Sequence, residues 1–198
     1  MKQSTRAERA MEIEAIALQI LEDKGYDALS ILAVAKAAKA SNETLYRWYG
    51  NKTGLFEALI KRNTNLVRDA LADTQDASAT EALAQVGPVL LSMLLGKSAV
   101  ALNKAAAADR SGTLGQALAK AGRETVAPWI MSVMERGAKQ GEFASAPAAD
   151  MAEVFFALLI GDKQVRRVTG AMTQPSSEDI QTYADTALDR FMTVYGPK

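Results

Sequence analysis

The sequence contains no cysteine and no histidine. The absence of cysteine excludes a disulfide framework and a thiolate zinc site. The absence of histidine removes the most common general base and the most common metal ligand of proteins. A helical di-iron site built on Glu-x-x-His pairs is excluded for the same reason.

Long apolar runs are also missing. The two longest, near Val89–Leu95 and Val154–Ile160, are far shorter than the roughly 20 residues needed to span a bilayer. The amino-terminal sequence MKQSTRAERAMEIEA is mixed in charge and lacks the apolar core of a secretory signal. The sequence therefore predicts a soluble, cytoplasmic protein without a membrane partner.

Charge of one sign is not in excess, because 23 basic and 23 acidic residues give a formal net charge of zero. The distribution is nevertheless uneven. Between Lys36 and Arg62 there are six basic and two acidic residues. This local excess favours a DNA-binding surface, while an ordinary solvated helical face gives the same pattern about as readily.

The composition favours helix. Apolar residues make up 48% of the 198 residues, alanine is abundant and β-branched residues are sparse. Helix is therefore predicted almost everywhere outside the loops. The length corresponds to one large domain or two small ones, and the predicted fold class is all-α.

The stretch Ser30–Leu59 has the pattern of two short helices joined by a tight turn and followed by a third helix. Apolar residues recur at helical spacing within 31–38, and Ser41 is an N-cap for a helix at about 42–48. Leu45 and Tyr49 lie four residues apart and are predicted to face inward. The other side chains of this second helix are hydroxyl, amide, aromatic and guanidinium groups, which suit a helix that enters the major groove.

The run TLYRWY at 44–49, followed by GNK at 50–52 and GLF at 54–56, resembles the signature of the TetR/AcrR family of bacterial transcriptional regulators. GYDALS at 25–30 belongs to the same pattern. The resemblance implies an N-terminal three-helix helix-turn-helix DNA-binding domain at 1–52. It also implies a larger C-terminal helical domain for ligand binding and dimerisation at 53–198, with about nine helices in all.

Two residues depart from the family pattern. Lys39 stands in the turn where the family usually has glycine, and a left-handed conformation there costs on the order of 1–2 kcal/mol. The turn is therefore either strained or built differently. Glu43 precedes Thr44, and its carboxylate is repelled by phosphates although it can accept from a cytosine amino group.

The resemblance implies a set of DNA contacts from the two helices and the start of the third. Asn42 and Thr44 read base edges, and Tyr46 and Trp48 contact phosphates or a thymine methyl group. Ser30 and Lys52 contact phosphates, Lys52 with help from the positive end of its helix. Two alternatives stay open, since Tyr46 is also explained as a packed aromatic and Ser30 as a cap only. An amino-terminal arm with Lys2, Arg6 and Arg9 either reaches the DNA or is a frayed terminus.

Capping and breaking residues set the predicted helix ends elsewhere. Gly25 ends the first helix, Ser78 and Glu81 form a capping box, and Pro88 and Pro128 interrupt two helices. Besides the two short helices at 31–38 and 42–48, the predicted helices include 5–24, 52–72, 98–108, 113–139 and 147–168, with a final helix from 176.

A dimer is expected. The helix at 42–48, which we call the reading helix, would bind DNA weakly by itself, whereas two copies related by symmetry reach successive major grooves. The last two predicted helices carry surplus apolar residues. The residues predicted for the interface are Phe155, Leu158, Phe191 and Tyr195. The alternative is that these residues fill the core of one chain.

A pocket for a largely apolar effector is predicted between the fifth and seventh helices. Methionine adapts to varied apolar ligands, and the residues predicted to line this pocket are Met93, Trp129, Met131 and Met134. The alternative is again that these side chains are ordinary core.

No catalytic arrangement is present. Gly96-Lys97-Ser98 is similar to the end of a phosphate-binding loop, but Leu91 stands where the leading glycine belongs. Asp150 and Glu153 share a helix face, as carboxylates on solvated faces often do. We therefore predict that the chain is not an enzyme and has no cofactor and no metal.

The predicted function is a homodimeric, ligand-responsive transcriptional regulator. It would be a repressor that binds double-stranded DNA at a palindromic operator and is released by a small molecule. One alternative is a helical small-molecule-binding dimer with a degenerate DNA-binding head. A second is a constitutive DNA-binding protein without an effector cavity.

Overall fold

Almost the whole backbone is helical. The computed structural model describes the backbone of residues 3–197 and the side chains of residues 6–197. Within these residues there are eleven α-helices, one π-helical segment (Ala119–Arg123) and no strand, so the all-α prediction is confirmed. The α-helices are α1 (Gln3–Ala28), α2 (Ile31–Ala37), α3 (Asn42–Tyr49), α4 (Lys52–Ala72), α5 (Ala79–Leu95), α6 (Lys97–Ala108), α7 (Thr113–Leu118), α8 (Glu124–Gln140), α9 (Ala148–Ile160), α10 (Lys163–Thr169) and α11 (Ser177–Tyr195).

The chain divides into two units. The first contains the residues up to Asn63 together with Lys97–Gly122, and the second contains Thr64–Gly96 and the residues from Arg123 onward. The boundary between Asn63 and Thr64 falls inside α4. The sequence predicts a domain boundary between residues 52 and 53, which would assign residues 97–122 to the second domain. In the structure these residues lie in the first unit. The boundary at 52/53 stays a prediction.

The first unit is built on one apolar core. Ile13, Leu45, Phe56 and Leu59 are completely buried in it. At this core the Tyr26 ring packs edge-on against the Phe56 ring, with 5.6 Å between the ring centroids. Burying one such side chain contributes about 1.5–3 kcal/mol, so this core fixes the position of α3, which supplies Leu45.

The second unit has its own core, centred on Phe191 of α11. The rings of Phe143, Phe155 and Tyr195 lie 5.3, 5.8 and 5.2 Å from the Phe191 ring, measured between centroids. Phe143 and Phe155 meet it edge-on, which is a favoured arrangement for aromatic pairs. Leucines of α5 and apolar residues of α8 complete this core.

Several predicted helix ends are confirmed. Gly25 adopts φ 77° and interrupts the helical geometry at the predicted position, although α1 as a whole continues to Ala28, beyond the predicted end at Lys24. Ser78 and Glu81 form the predicted capping box, in which the Ser78 hydroxyl accepts from the Glu81 N–H and the Glu81 carboxylate accepts from the Ser78 N–H. Helix α4 has the predicted bounds 52–72.

Two long predicted helices are wrong, because each is divided. The helix predicted at 113–139 is broken by the π-helical segment, after which α8 continues through Pro128. This break coincides with the unit boundary, since Ala121 is buried in the first core and Val126 in the second. The helix predicted at 147–168 stops at Ile160, because Gly161 turns the chain with φ 50°. Pro88 also lies inside α5 without ending it.

Among residues 3–197, no single helix is both long and apolar enough to cross a membrane. Only α5 and α6 taken together as a bent pair satisfy the requirement, by length and composition alone.

The amino-terminal end of α5 is capped by a distant carboxylate. Glu142 accepts hydrogen bonds from the backbone N–H groups of Ala79 and Thr80, at 2.8 and 2.9 Å, and from the Thr80 hydroxyl at 2.8 Å. Burial raises the pKa of Glu142, but these hydrogen bonds outweigh it, so the pKa lies below its ordinary value of 4.5. The carboxylate is therefore stabilised in its charged form by the helix end.

We expect Glu142→Gln to lower the free energy of unfolding at pH 7 by about 2 kcal/mol, since charge-assisted hydrogen bonds are removed. A carboxyl group whose pKa is depressed by folding stabilises the protein above its unfolded-state pKa, and that contribution is lost as the pH falls. The difference between the variant and the unchanged chain should therefore shrink below pH 4.5. Urea unfolding at pH 7 and pH 3.5 measures it, with the exposed Glu135→Gln as control. A difference independent of pH would contradict this account.

Candidate nucleic-acid interface and effector site

Helix α3 is fixed by its cap and by one buried side chain. The Ser41 hydroxyl accepts from the backbone N–H of Thr44 at 3.1 Å and lies 2.8 Å from the Thr44 hydroxyl. Leu45 is completely buried. The Ser41 cap and the inward Leu45 agree with the sequence prediction, and they turn the remaining side chains of α3 outward.

The outward face carries the chemistry predicted for base reading. Asn42, Glu43 and Arg47 are exposed, and Tyr46 is 55% exposed. Thr44 is half-buried because it contacts the cap. The exposure of Tyr46 removes the alternative in which it is a packed aromatic. Its contact with DNA stays a prediction.

The turn before α3 contains the chain's only non-glycine residue with positive φ among those described. Lys39 adopts φ 51°, and the following Ala40 N–H donates to the Ala35 carbonyl at 2.9 Å. The turn therefore has the left-handed geometry for which glycine is favoured, built with lysine. Its side chain is exposed beside α3.

We expect Lys39→Gly to raise the free energy of unfolding by about 1 kcal/mol. The left-handed conformation of a lysine costs about 1–2 kcal/mol, and the greater entropy of unfolded glycine returns part of this. Urea unfolding followed by circular dichroism measures the change. Lys36→Gly is the matched control, because it removes the same charge from a helical position and should destabilise by about 1 kcal/mol. Destabilisation by both variants would show that Lys39 is not strained.

A concave, basic surface adjoins the outward face of α3. It has a volume of about 490 Å³ and is lined by Arg9, Lys39, Ser41, Thr44 and Arg47, among others. The side chains of Lys39 and Arg47 are exposed and have no hydrogen-bond or ion-pair partner among the described residues. Arg9 was predicted only as part of an arm that either reaches the DNA or is frayed. Lys39 and Arg47 were not among the predicted DNA contacts, and the local basic excess between Lys36 and Arg62 was the signal for them.

Arg9 ties α1 to the end of α2. Its guanidinium pairs with Glu12 at 2.6 Å and donates to the Ala38 carbonyl. Arg6 lies over the Trp48 ring, 5.4 Å from its centroid. The arm residues Arg6 and Arg9 therefore lie beside the reading helices, while Lys2 lies outside the described residues.

Trp48 and Tyr49 are positioned by α1. Tyr49 is half-buried, and its hydroxyl donates to Glu14 at 3.4 Å. Burial raises the pKa of Glu14, and burial together with the Glu14 charge raises the pKa of Tyr49, so Tyr49 is a neutral donor. Trp48 is half-buried and meets Tyr49 edge-on.

Ser30 and Lys52 both have structural partners. The Ser30 hydroxyl caps α2 by accepting from the Ala33 N–H at 3.0 Å. The Lys52 ammonium lies 3.7 Å from the centroid of the Tyr26 ring. Burial lowers the pKa of Lys52, and Asp27 opposes this. Phosphate contacts by Ser30 and Lys52 stay predictions.

The four residues predicted for the effector pocket have different surroundings, and their role in effector binding stays a prediction. Met134 is completely buried in the core of the second unit, and Met93 and Met131 pack against that core. Trp129 alone lines a cleft of about 290 Å³, formed by the end of α4, the following turn and α8. Arg136 lines the same cleft and was missed, because an arginine on a helix is usually solvated.

The residues predicted for dimerisation separate into two groups. Phe155 and Phe191 are 1% and 0% exposed within one chain, so their assignment is corrected to the core of the second unit. Leu158 and Tyr195 are half-buried at the edge of that core and stay candidates for an interface. The described residues contain no group of three acidic side chains placed to hold a metal ion.

Comparison with known proteins agrees with the geometry of both units. Residues 13–59 match the family described as bacterial regulatory proteins, tetR family, and residues 81–197 match the C-terminal domain of AefR-like transcriptional repressors. The DNA-binding transcriptional repressor TetR of Mycobacteroides abscessus is 38% identical over 66 residues, which are 33% of this chain and 35% of that protein. The chain thus spans about a third of the length of the curated relatives it matches.

Solved structures resemble the chain over nearly its full length. A protein assigned to the TetR family from Mesorhizobium loti superposes with a TM-score of 0.80 at 23% identity, covering 99% of this chain and 100% of that one. A TetR transcriptional regulator from Agrobacterium tumefaciens gives 0.75 at 28% identity, covering 96% and 95%. With a reading helix turned outward, a basic surface beside it and family matches to both parts of the sequence, this chain belongs to the TetR family of bacterial transcriptional regulators.

Proposed function

We propose that the protein is a homodimeric repressor that binds a palindromic operator and is released from it by a small molecule. The observation that carries the proposal is the outward face of α3, where Tyr46 is exposed and Thr44 lies beside the basic surface of Lys39 and Arg47. TetR-family regulators bind DNA and small-molecule effectors and are usually dimers. Two reading helices would then occupy successive major grooves, roughly 34–36 Å apart.

The mechanism rests on α4, which runs through the boundary between the two units. An effector bound in the second unit would shift α4 and so change the separation of the two reading helices. Such coupling requires the effector to bind the DNA-bound and the released conformations with different affinity. The effector must therefore lower operator affinity, and the operator must lower effector affinity by the same factor.

Selection of bound fragments from a random pool of double-stranded DNA tests the proposal. The selected sequences should contain two inverted half-sites, because the dimer is symmetric. The fraction of DNA bound by the protein should fall steeply as the salt concentration rises, since phosphate contacts release counterions. A helical ligand-binding dimer with a degenerate head, which the zero net charge and Glu43 favour, would show no salt-sensitive retention even on sheared genomic DNA.

Base reading and phosphate binding predict different variant behaviour. Thr44→Ala should relax preference at one position of each half-site while nonspecific binding is unchanged. Lys52→Ala should weaken binding to all sequences and reduce the slope of log K against log salt by about one unit for each phosphate that the variant no longer binds. Gel-shift titrations at several salt concentrations measure both. The exposed Lys139 of α8 provides a matched Lys→Ala control outside the first unit. An unchanged operator preference in Thr44→Ala would remove that residue from base reading.

A further inference from the structure

Arg136 of α8 is held by only one of its three guanidinium nitrogens. Its Nη1 donates to the backbone carbonyls of Gln75 at 3.1 Å and Thr74 at 3.4 Å. Its Nε and Nη2 are buried, and neither has a hydrogen-bond partner within the described residues. Buried charged donors are costly when unpaired, so this edge of the guanidinium requires an acceptor.

The unpaired edge has a specific geometry. Nε and Nη2 present two parallel N–H groups, and this fork matches the two oxygens of a carboxylate. Glu142 interacts electrostatically with Arg136, but its oxygens already accept three hydrogen bonds from Ala79 and Thr80. The described part of the chain therefore supplies no carboxylate for this edge.

Arg136 lines an open cleft within the second unit. The cleft has a volume of about 290 Å³, near the lower end of the range for small-molecule sites. Leu71, Trp129 and Val133 give it an apolar wall. Arg68, which also lines the cleft, is already paired with Asp69 at 2.9 Å. The cleft is thus lined both by Arg136, whose buried Nε and Nη2 are unpaired, and by a surface for an apolar or aromatic group.

We propose that this cleft binds a small organic carboxylate, whose apolar body lies against Trp129 and whose two oxygens accept from Nε and Nη2 of Arg136 after the guanidinium turns these buried atoms toward the cleft. A phosphate dianion fits less well, because it needs more donors than one fork edge provides and gains nothing from the apolar wall. The binding stands on the geometry of the second unit. Its identification as the effector site rests on the proposed function.

Trp129 reports on the site directly. In the full-length Trp48→Phe chain it is the only tryptophan, so its fluorescence can be titrated with benzoate, phenylacetate and octanoate and with the corresponding primary amides. We expect saturable quenching by at least one of the acids, and binding of its amide weaker by about tenfold or more, as the loss of a charge-assisted bidentate pair implies. Equal binding of acid and amide, or no saturation by any acid, would overturn the proposal.

Arginine-to-lysine variants provide the matched comparison. Arg136→Lys keeps the charge and can still donate to the 74–75 carbonyls but loses the fork, so acid affinity should fall about tenfold. Arg68→Lys makes the same change at the paired neighbour and should leave the affinity within about twofold. Equal losses in both variants would overturn the role of Arg136. If Arg136→Lys does not fold, the acid–amide comparison in the Trp48→Phe chain decides.

Inorganic phosphate serves as the competing anion. Failure to displace the bound acid at tenfold excess supports a carboxylate site, and displacement at equal concentration would overturn it in favour of a general anion site. These titrations contain no DNA. Their failure leaves operator binding untouched, and failure of operator selection leaves the carboxylate site untouched.

Discussion

Gly54→Ala is expected to lower the free energy of unfolding by about 2–3 kcal/mol and operator affinity by at least about tenfold. Gly54 lies in the first turn of α4, and its N–H donates to the side-chain oxygen of Asn51 at 2.9 Å. A Cβ atom at this position would overlap the backbone carbonyl oxygen of Tyr49 at the end of α3. Backbone cannot rotate away as a side chain does, so α3 and α4 must separate.

Displacement of α3 would move all the proposed base-reading groups together. Urea unfolding and gel-shift titration measure the two effects. Gly115→Ala in α7 is the matched control in the same unit, because nothing lies within 4 Å of its added Cβ. It should stabilise the chain by up to about 1 kcal/mol through helix propensity. If Gly54→Ala also stabilises, the close approach of α3 and α4 is not a constraint on the fold.

Gly137→Ala is expected to lower the free energy of unfolding by about 3 kcal/mol, although alanine is the better helix former. An added Cβ would overlap the Phe143 ring and would lie 2.8 Å from the Cβ of Ala79. The ring is 3% exposed and packs edge-on against Phe191. The backbone N–H groups of Glu142 and Phe143 donate to the Gly137 carbonyl, at 2.9 and 3.2 Å, which holds the ring over the glycine.

Thermal and urea unfolding measure this destabilisation, and two variants separate its cause. Gly87→Ala adds a methyl group to another buried helical glycine of the same unit, where the nearest atom, Cβ of Ala184, lies at 3.6 Å. It should be neutral or slightly stabilising. Phe143→Leu should recover part of the stability when combined with Gly137→Ala, since it removes the overlapping ring atoms. Strict additivity of the two changes would contradict the steric account.

The reading helix was predictable because its information is local. Capping by Ser41 and the inward Leu45 follow from residue types and a 3.6-residue period within α3, and they determine which side chains face outward. The basic surface was only partly predictable. Arg9 reaches it from α1, about 30 residues earlier in sequence, so its place depends on how α1 packs against α2 and α3.

The second unit was less predictable, because helical periodicity shows that a face is apolar without showing what covers it. Phe155 and Phe191 have the pattern of an interface, yet they meet each other inside one chain, where Phe191 also meets Phe143. Met93, Met131 and Met134 have the pattern of a pocket, yet they pack in or against the core. Arg136 has the pattern of a solvated residue, yet two of its nitrogens are buried.

Helix content, most helix ends, the capping box of Ser78 and Glu81 and the outward chemistry of α3 were determined by the amino-acid sequence, because each depends on interactions between residues no more than about four apart. Tertiary packing alone decided that residues 97–122 join the first core, that Glu142 caps α5 across 63 residues and that Arg136, with two buried nitrogens, lines a cleft. These features depend on contacts between distant segments, and a helical period does not specify which segments meet.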